Sequence, residues 1–307
     1  MTSAPPRVAV FTVAPILVVT IEGHASHVNV GGQGVWVARA IATLGGEPVI
    51  CAPFGGDTGR TAQLILAADQ YQVAGTDTDA SSGLYVEQRD DDGARTCVQE
   101  VPAERLRPRD LDDVYEAALL HGTASGTCVV TGSPFPGHLD PDTVRRLCND
   151  LHAAGVVTVA DLSGEQLSAA LDAGVDLLKI ADDQLGDNGI DAGEGVDEWM
   201  ADVLGTGQVR RAVVVSSADG ITRARTPSEV IEAKGPRFDA VDPRGSGDSM
   251  CAAIALAHAR EHPVTEAIRI GIAAGAANAT RRSTASPGIE AVLQLSETVE
   301  LTATPIR

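Results

Sequence analysis

The stretch Asp242-Pro243-Arg244-Gly245-Ser246-Gly247-Asp248 stands directly before an apolar, helix-length run that extends to about Arg260. Glycines at 245 and 247 allow a tight turn and let a ligand approach the backbone with no Cβ in the way. The free amides at a helix start, reinforced by the helix dipole, make an anion site. Asp248 at that start can take a proton from a substrate hydroxyl while the amides of Gly245, Ser246 and Gly247 stabilise charge on a transferring phosphoryl group. Taken alone, the tetrapeptide Gly245–Asp248 reads first as the ordinary start of a helix behind a flexible loop.

Working outward, the chain alternates strand-length β-branched runs with helix-length amphipathic ones. Val8–Val13 and Ile16–Ile21 read as strands broken at Ala14-Pro15. Gly31-Gly32-Gln33-Gly34 opens a helix with Val35, Ala38, Ile41 and Ala42 on one face, and Gly45-Gly46 closes it. Pro48–Phe54 reads as a buried strand, followed by a helix to about Tyr71. Further strands are expected at Thr127–Thr131, Val156–Asp161, Asp176–Ile180 and Arg211–Ser216, with helices between them. Asp248–Arg260 and an Ala-rich Thr265–Thr280 complete the helical set, after a short hairpin region at Ile221–Ala233. This rhythm predicts a parallel sheet covered by helices on both faces. Gly83–Arg89 and Arg95–Val101, joined by Asp90-Asp91-Asp92-Gly93, read as a hairpin outside that sheet. With part of the N-terminal segment it is expected to form a small β lid, over residues of about 13–30 and 78–104, on a single domain spanning 1–307. Gly186–Gly195 reads as an exposed, acidic loop.

Bulk composition limits the partners. The 307 residues carry a net charge of −19, and Lys179 and Lys234 are the only lysines. No basic footprint exists for nucleic acid or for an anionic membrane. Any anionic substrate must be held by a few local cations or by backbone amides. Cys51, Cys97, Cys128, Cys148 and Cys251 are scattered, with no CxxC spacing, which suits reduced thiols in the cytoplasm. No signal-like start and no membrane-length apolar run are read.

Several motifs, in order, resemble the ribokinase-like (PfkB) carbohydrate kinases. Asp242, Gly245, Gly247 and Asp248 match the family's D-T-x-G-A-G-D, with Ser246 in place of Ala. Gly31-Gly32-Gln33-Gly34, Val37-Ala38-Arg39 and Leu44-Gly45-Gly46 look like G-G-K-G-x-N-V-A-R…L-G-G. Gly55-Gly56-Asp57-Thr58-Gly59, Thr131-Gly132-Ser133-Pro134, Asp161-Leu162-Ser163-Gly164 and Asp219-Gly220 look like its G-x-D-x-G, S-G-S-L-P, D-T-S-G and D-G segments. The resemblance spans roughly residues 8–290 and is nearest to the 1-phosphofructokinase and tagatose-6-phosphate kinase branch. It implies a three-layer αβα core with a central, mostly parallel sheet, and a β-sheet lid often used for homodimerisation. It also implies ATP and Mg²⁺ as cofactors, Asp248 as base and Gly245, Ser246 and Gly247 as anion hole. Lys179, Ser216, Asp219, Gly220, Arg244, Gly275 and Asn278 would border the nucleotide. Gly31, Gly32, Gln33, Trp36 and Val18 would border the acceptor.

The departures from the family pattern lie mainly on the acceptor side. Gln33 stands for Lys, Trp36 for Asn and Val18 for the sugar-binding Asp. Ala80-Ser81-Ser82-Gly83 lacks the Arg of T-R-x-N. A sugar phosphate would lose charge-assisted contacts worth ~1.5–3 kcal/mol each, so fructose 1-phosphate or 6-phosphate is not the expected acceptor. In the family's K-P-N-x-x-E-L segment, which helps to organise the water shell of Mg²⁺, Lys179 is kept but Ala181 replaces Asn and Gln184 replaces Glu. Asp182 and Asp183 are the acids left there, and the metal ligands stay open. Arg244 is read either as a phosphate contact or as a surface ion pair, Trp36 either as a stacking platform or as core or dimer packing, and His24 and His27 as solvent-facing. The expected function is ATP-dependent phosphotransfer to a hydroxyl of a small sugar-like acceptor. An idle ribokinase-fold ligand-binding or regulatory protein, and a nucleoside or specialised-metabolite kinase, stand beside it.

Overall fold

The computed structural model describes residues 4–306 other than 91–92, 136, 187–189, 191–194 and 218–219. The first third runs β1 (Arg7–Phe11), β2 (Ile16–Glu22), β3 (Ala25–Gly31), α1 (Gln33–Thr43), β4 (Glu47–Gly55), α2 (Gly56–Ala68), β5 (Gln72–Thr78), β6 (Gly83–Arg89) and β7 (Arg95–Val101). The middle runs α3 (Pro108–Ser125), β8 (Thr127–Thr131), α4 (Pro141–Ala153), β9 (Val157–Asp161), α5 (Gly164–Ala173), β10 (Val175–Ala181), α6 (Asp182–Leu185) and α7 (Val196–Gly205). The last part runs β11 (Val209–Ser216), β12 (Ile221–Arg225), β13 (Glu229–Lys234), α8 (Ser246–Ala259), α9 (Val264–Ala279), α10 (Ile289–Ser296) and β14 (Glu300–Pro305).

The main sheet has the order β14-β13-β12-β11-β10-β9-β8-β1-β4-β5. From β11 to β5 every pairing is parallel. The central strands β1, β4 and β8 are buried almost throughout, because helices cover both faces. One apolar core lies between the sheet and α1, α2, α8, α9 and α10, and a second lies against α3, α4, α5 and α7. Pro108 and Pro141 start α3 and α4 with their fixed φ, and Asp140 caps α4 by accepting from the Asp142 amide at 3.1 Å.

The short hairpin expected at Ile221–Ala233 is β12–β13, and it joins the main sheet. β12 pairs antiparallel with β11, and β13 and β14 continue the antiparallel edge. Alternating burial on β12 marks one covered and one open face.

The second sheet has the order β3-β2-β6-β7. The expected hairpin is β6–β7, and its acidic turn at Asp91 and Asp92 lies outside the described residues. β2 pairs with β6 in parallel, so that Val18, Thr20 and Glu22 stand beside Tyr85, Glu87 and Arg89. The small sheet meets the core at Gly32, whose φ is +100° and where a Cβ would fall 2.4 Å from the Ala14 carbonyl oxygen. Gly32→Ala is therefore expected to cost at least about 2 kcal/mol in chemical denaturation. Unchanged stability would mean that the join tolerates a side chain.

Candidate active site

Parallel strands deliver their C-terminal residues to one edge of the sheet, which is where open α/β sheets bind ligands. Thr131, Asp161, Ala181 and Ser216 are the last residues of β8, β9, β10 and β11, and α8 begins at the same edge. Gly245 caps α8 in the left-handed region at φ 77°, where a Cβ would meet Thr284 and the Ala285 amide at 2.8 and 2.9 Å. The first turn of a helix leaves amides with no intrahelical acceptor, and here they belong to the Ser246–Asp248 segment, in which the Ser246 amide donates outside the helix to the Pro243 carbonyl at 3.2 Å.

Asp248 is half-buried on that turn. Burial, and then the charge of Asp161, raise its carboxyl from the usual carboxylate range to about 7, with Lys179 pulling the other way. Lys179 is itself buried, with its ammonium 3.6 Å from Asp161 Oδ1. Burial opposes its charge, but Asp161 and Asp248 outweigh it and raise the Lys179 pKa. Gly247 is tied to this group by space: a Cβ there would stand 2.7 Å from Lys179 Nζ. An ammonium beside these carboxylates at a helix N-terminus can receive a phosphate, and Asp248 can receive a proton near neutral pH.

A cavity of about 600 Å³ opens on one side of this cluster. Lys179, Asp182, Asp183 and Ser216 line it with Gly220, Ser246, Gly247 and Gly275, and Phe238, Ile272 and Ala276 add an apolar wall. At Gly275 a Cβ would fall 3.2 Å from the Ser246 carbonyl oxygen. This composition suits a flat base and a phosphate tail. Of the residues expected at the nucleotide, Asp219 lies outside the described residues. Asn278 takes a different place from that cavity: buried, it donates to the Arg244 carbonyl at 2.8 Å and to Ser246 Oγ at 3.2 Å, and accepts from the Ser286 amide. It braces the anion loop from behind. Gln184 caps α6 by accepting from the Ala181 amide at 3.1 Å.

Of the two readings of Arg244, the ion pair is the one the structure shows. The side chain turns from the nucleotide side to the small sheet, where its Nη2 lies 2.9 Å from Glu87 Oε2 and its Nε 3.5 Å from Asp242 Oδ1. The pull is a carboxylate with no exposed surface: Glu87 also accepts from Arg95 at 2.8 Å and from Thr20 Oγ1 at 2.8 Å. Arg95 in turn pairs with Asp242. β6, β7 and the loop before α8 are thereby bound into one ionic network.

That network borders a second cavity of about 490 Å³, between the small sheet and the core. Val18 and Trp36 line it, and both crowd Gly31, where a Cβ would meet them at 2.8 and 3.3 Å. Trp36 is half-buried and also packs against the core. His27, exposed on β3, joins the lining. Gln33 stands deeper, donating to the Asp161 carbonyl at 3.2 Å and accepting from the Gly132 amide at 3.2 Å. It links the acceptor-side glycines to the strand that carries Asp161.

The expectation of a cavity poor in cations does not hold. Among the described residues Arg39, Arg89, Arg95, Arg244 and Arg282 line it. They come from α1, β6, β7 and two loops, and Arg89, Arg95 and Arg282 stand outside the motifs through which the losses were counted.

A three-layer α/β fold thus sets an anion loop at a helix start beside a carboxyl raised to about 7. Residues 10–291 match the model of the pfkB family carbohydrate kinases, and the chain belongs to that family. It is 27% identical to the ATP-dependent 6-phosphofructokinase isozyme 2 of Escherichia coli (strain K12) over 260 residues, covering 83% of this chain and 82% of that protein. It is 25% identical to the 1-phosphofructokinase of Bacillus subtilis (strain 168) over 254 residues, 81% of each. The structure of phosphofructokinase-2 from Escherichia coli in complex with potassium superposes with a TM-score of 0.87 at 24% identity, covering 96% of this chain and 99% of that one. Arabidopsis thaliana ribokinase complexed with ribose and ATP gives 0.71 at 19% identity, with coverage of 96% and 99%. The names of the phosphofructokinase relatives, like the arginines, stand against excluding a sugar phosphate. No helix among the described residues is long and apolar enough to cross a membrane.

Proposed function

We propose that the chain transfers the γ-phosphoryl group of ATP to a hydroxyl of a small sugar-like acceptor held beneath the small sheet, which acts as a lid. The observation that carries this reading is Asp248, a carboxyl raised to about 7 on the anion-binding turn beside Lys179. ATP suits the cavity lined by Phe238, Ile272, Gly275 and Ser216, with its phosphates toward Lys179 and the Ser246–Asp248 amides. Asp182 and Asp183, also in that lining, supply the hard oxygen donors that Mg²⁺ prefers. When bound, Mg²⁺ would neutralise phosphate charge.

The residues divide the work. The α8 amides and Lys179 hold negative charge on the transferring group. Asp248 accepts the acceptor's hydroxyl proton. Gln33 fixes the segment at Gly132 and Asp161, and Asn278 holds the anion loop in shape. Val18 and Trp36 give the acceptor an apolar wall where the family pattern has Asp and Asn. Exposed Val28, Val98 and Val101 on the small sheet support homodimerisation through the lid.

The test is ADP formation from Mg-ATP across a panel of sugars and sugar phosphates, followed as a function of pH. The base must be deprotonated, so kcat/KM is expected to rise with pH through about 7. Asp161→Asn removes the neighbouring like charge that helps to raise Asp248, and is expected to move this acid limb to lower pH. A limb that stays in place would assign it to another group.

A further inference from the structure

The arginines of the acceptor cavity are not equivalent. Arg95 and Arg244 are neutralised by Glu87 and Asp242, and Arg282 pairs with Glu22 at 2.9 Å. Arg39 spends its guanidinium on the carbonyls of Val30 and Thr284, at 2.7 and 3.1 Å. Arg89 is 9% exposed, and among the described residues it forms no ion pair; its one hydrogen bond there runs from Nη2 to the Arg282 carbonyl at 3.1 Å, and its Nε has no partner among them. A guanidinium withdrawn from water without a counter-charge is costly. Such a group is retained where a ligand completes it.

The register of the small sheet gives this charge a place. Along the cavity face the rows run Val18–Tyr85, Thr20–Glu87 and Glu22–Arg89. The first row is apolar and adjoins Gly31 and Trp36. Four residues farther along the strand, about 13 Å, the row at Arg89 is polar and lies against Arg282. The cavity is therefore graded from an apolar wall to a polar end where Glu22 is taken by Arg282 and Arg89 is left without an ion pair among the described residues.

We propose that Arg89 is the specificity-determining residue for an anionic group, phosphate or carboxylate, on the acceptor at the end of the molecule away from the Val18–Trp36 wall. This deepens the kinase reading but is tested apart from it, by binding without nucleotide. Arg89→Met and Arg89→Lys are compared with the wild type for two matched pairs, fructose 6-phosphate against fructose and gluconate against glucose. The wild type is expected to prefer the anionic member of at least one pair, and the responding pair tells phosphate from carboxylate. Arg89→Met loses that preference by about ten- to a hundredfold, Arg89→Lys loses less, and both leave ATP affinity unchanged. Free Arg89→Met melts no lower than the wild type, since it removes an uncompensated charge. Equal binding of anionic and neutral members by the wild type overturns the proposal, as does an undiminished preference in Arg89→Met. A melting temperature far below the wild type would overturn it too, since Arg89 would then hold the sheet in place. Absence of phosphoryl transfer would sink the kinase reading and leave these binding differences untouched.

Discussion

Asp248→Asn is expected to lower kcat by about two to four orders of magnitude while leaving the binding of ATP nearly unchanged. The amide keeps the size of the side chain and its place on the first turn of α8, so the anion loop and Lys179 stay where they are. What is lost is the ability to take a proton. The same substitution is expected to leave the melting temperature at neutral pH equal to or above that of the wild type. The sign follows from linkage: the carboxyl is raised to about 7 in the folded chain and titrates near 4 when unfolded. Between those values the folded state binds more protons, so its stability declines as pH rises through this window. Removing the ionisable group removes that loss. An Asp248→Asn protein that turns over at the wild-type rate would remove the base from the account.

The second large effect is structural. Glu87→Ala deletes a carboxylate with no exposed surface that receives Arg95, Arg244 and Thr20 from β7, the α8 loop and β2. Breaking a buried pair by removing one partner costs about 3–5 kcal/mol, here shared with the residual pairing to Asp242. A drop of roughly 10 °C in melting temperature is expected, with a fall in activity because Arg244 and the loop carrying Asp248 lose their anchor on the small sheet. Glu87→Gln keeps the shape and two acceptor or donor positions and is expected to fall between. Thermal melting of the three proteins checks this. A Glu87→Ala protein that melts within about 2 °C of the wild type would show that the sheet is fastened elsewhere.

Residue pattern and motif order together made much of the core legible. Thr127–Thr131 is a strand with those bounds, and Asp248 stands on the first turn of a helix. Continuous β-branched runs signal a strand buried on both faces, and Gly-Ser-Gly before an apolar run signals a helix start with free amides. The strands β5 and β14 were less visible. Both lie at sheet edges, with polar and apolar residues mixed and little burial to impose a period. Bounds such as Ile21 against Glu22 for β2 differ by a residue because an end-strand carbonyl pairs without a buried side chain.

On the site the division is between local and distant information. The resemblance singled out Lys179, Gly247 and Asp248, which the fold gathers around Asp161. The ion-pair reading of Arg244 named no partner, because Glu87 lies 157 residues away in sequence. The arginines at 89, 95 and 282 were missed for the same reason: each is an ordinary charge on a strand or loop until the small sheet is laid over the core. Asn278 shows the converse, since a family position expected at the nucleotide serves as a brace between the α8 loop and Ser286. A buried cation on a strand otherwise alternating toward a cavity was the one available signal for Arg89.

The most direct measurement follows the label of γ-labelled ATP, with Mg²⁺, in the presence of pooled sugars and sugar phosphates, for the wild type and Asp248→Asn. The account predicts that the wild type moves the label to a small organic acceptor as a stable ester, and that Asp248→Asn binds ATP but moves almost none. Label that remains on ATP, or is released only as inorganic phosphate, with nucleotide bound and the panel present, would contradict it.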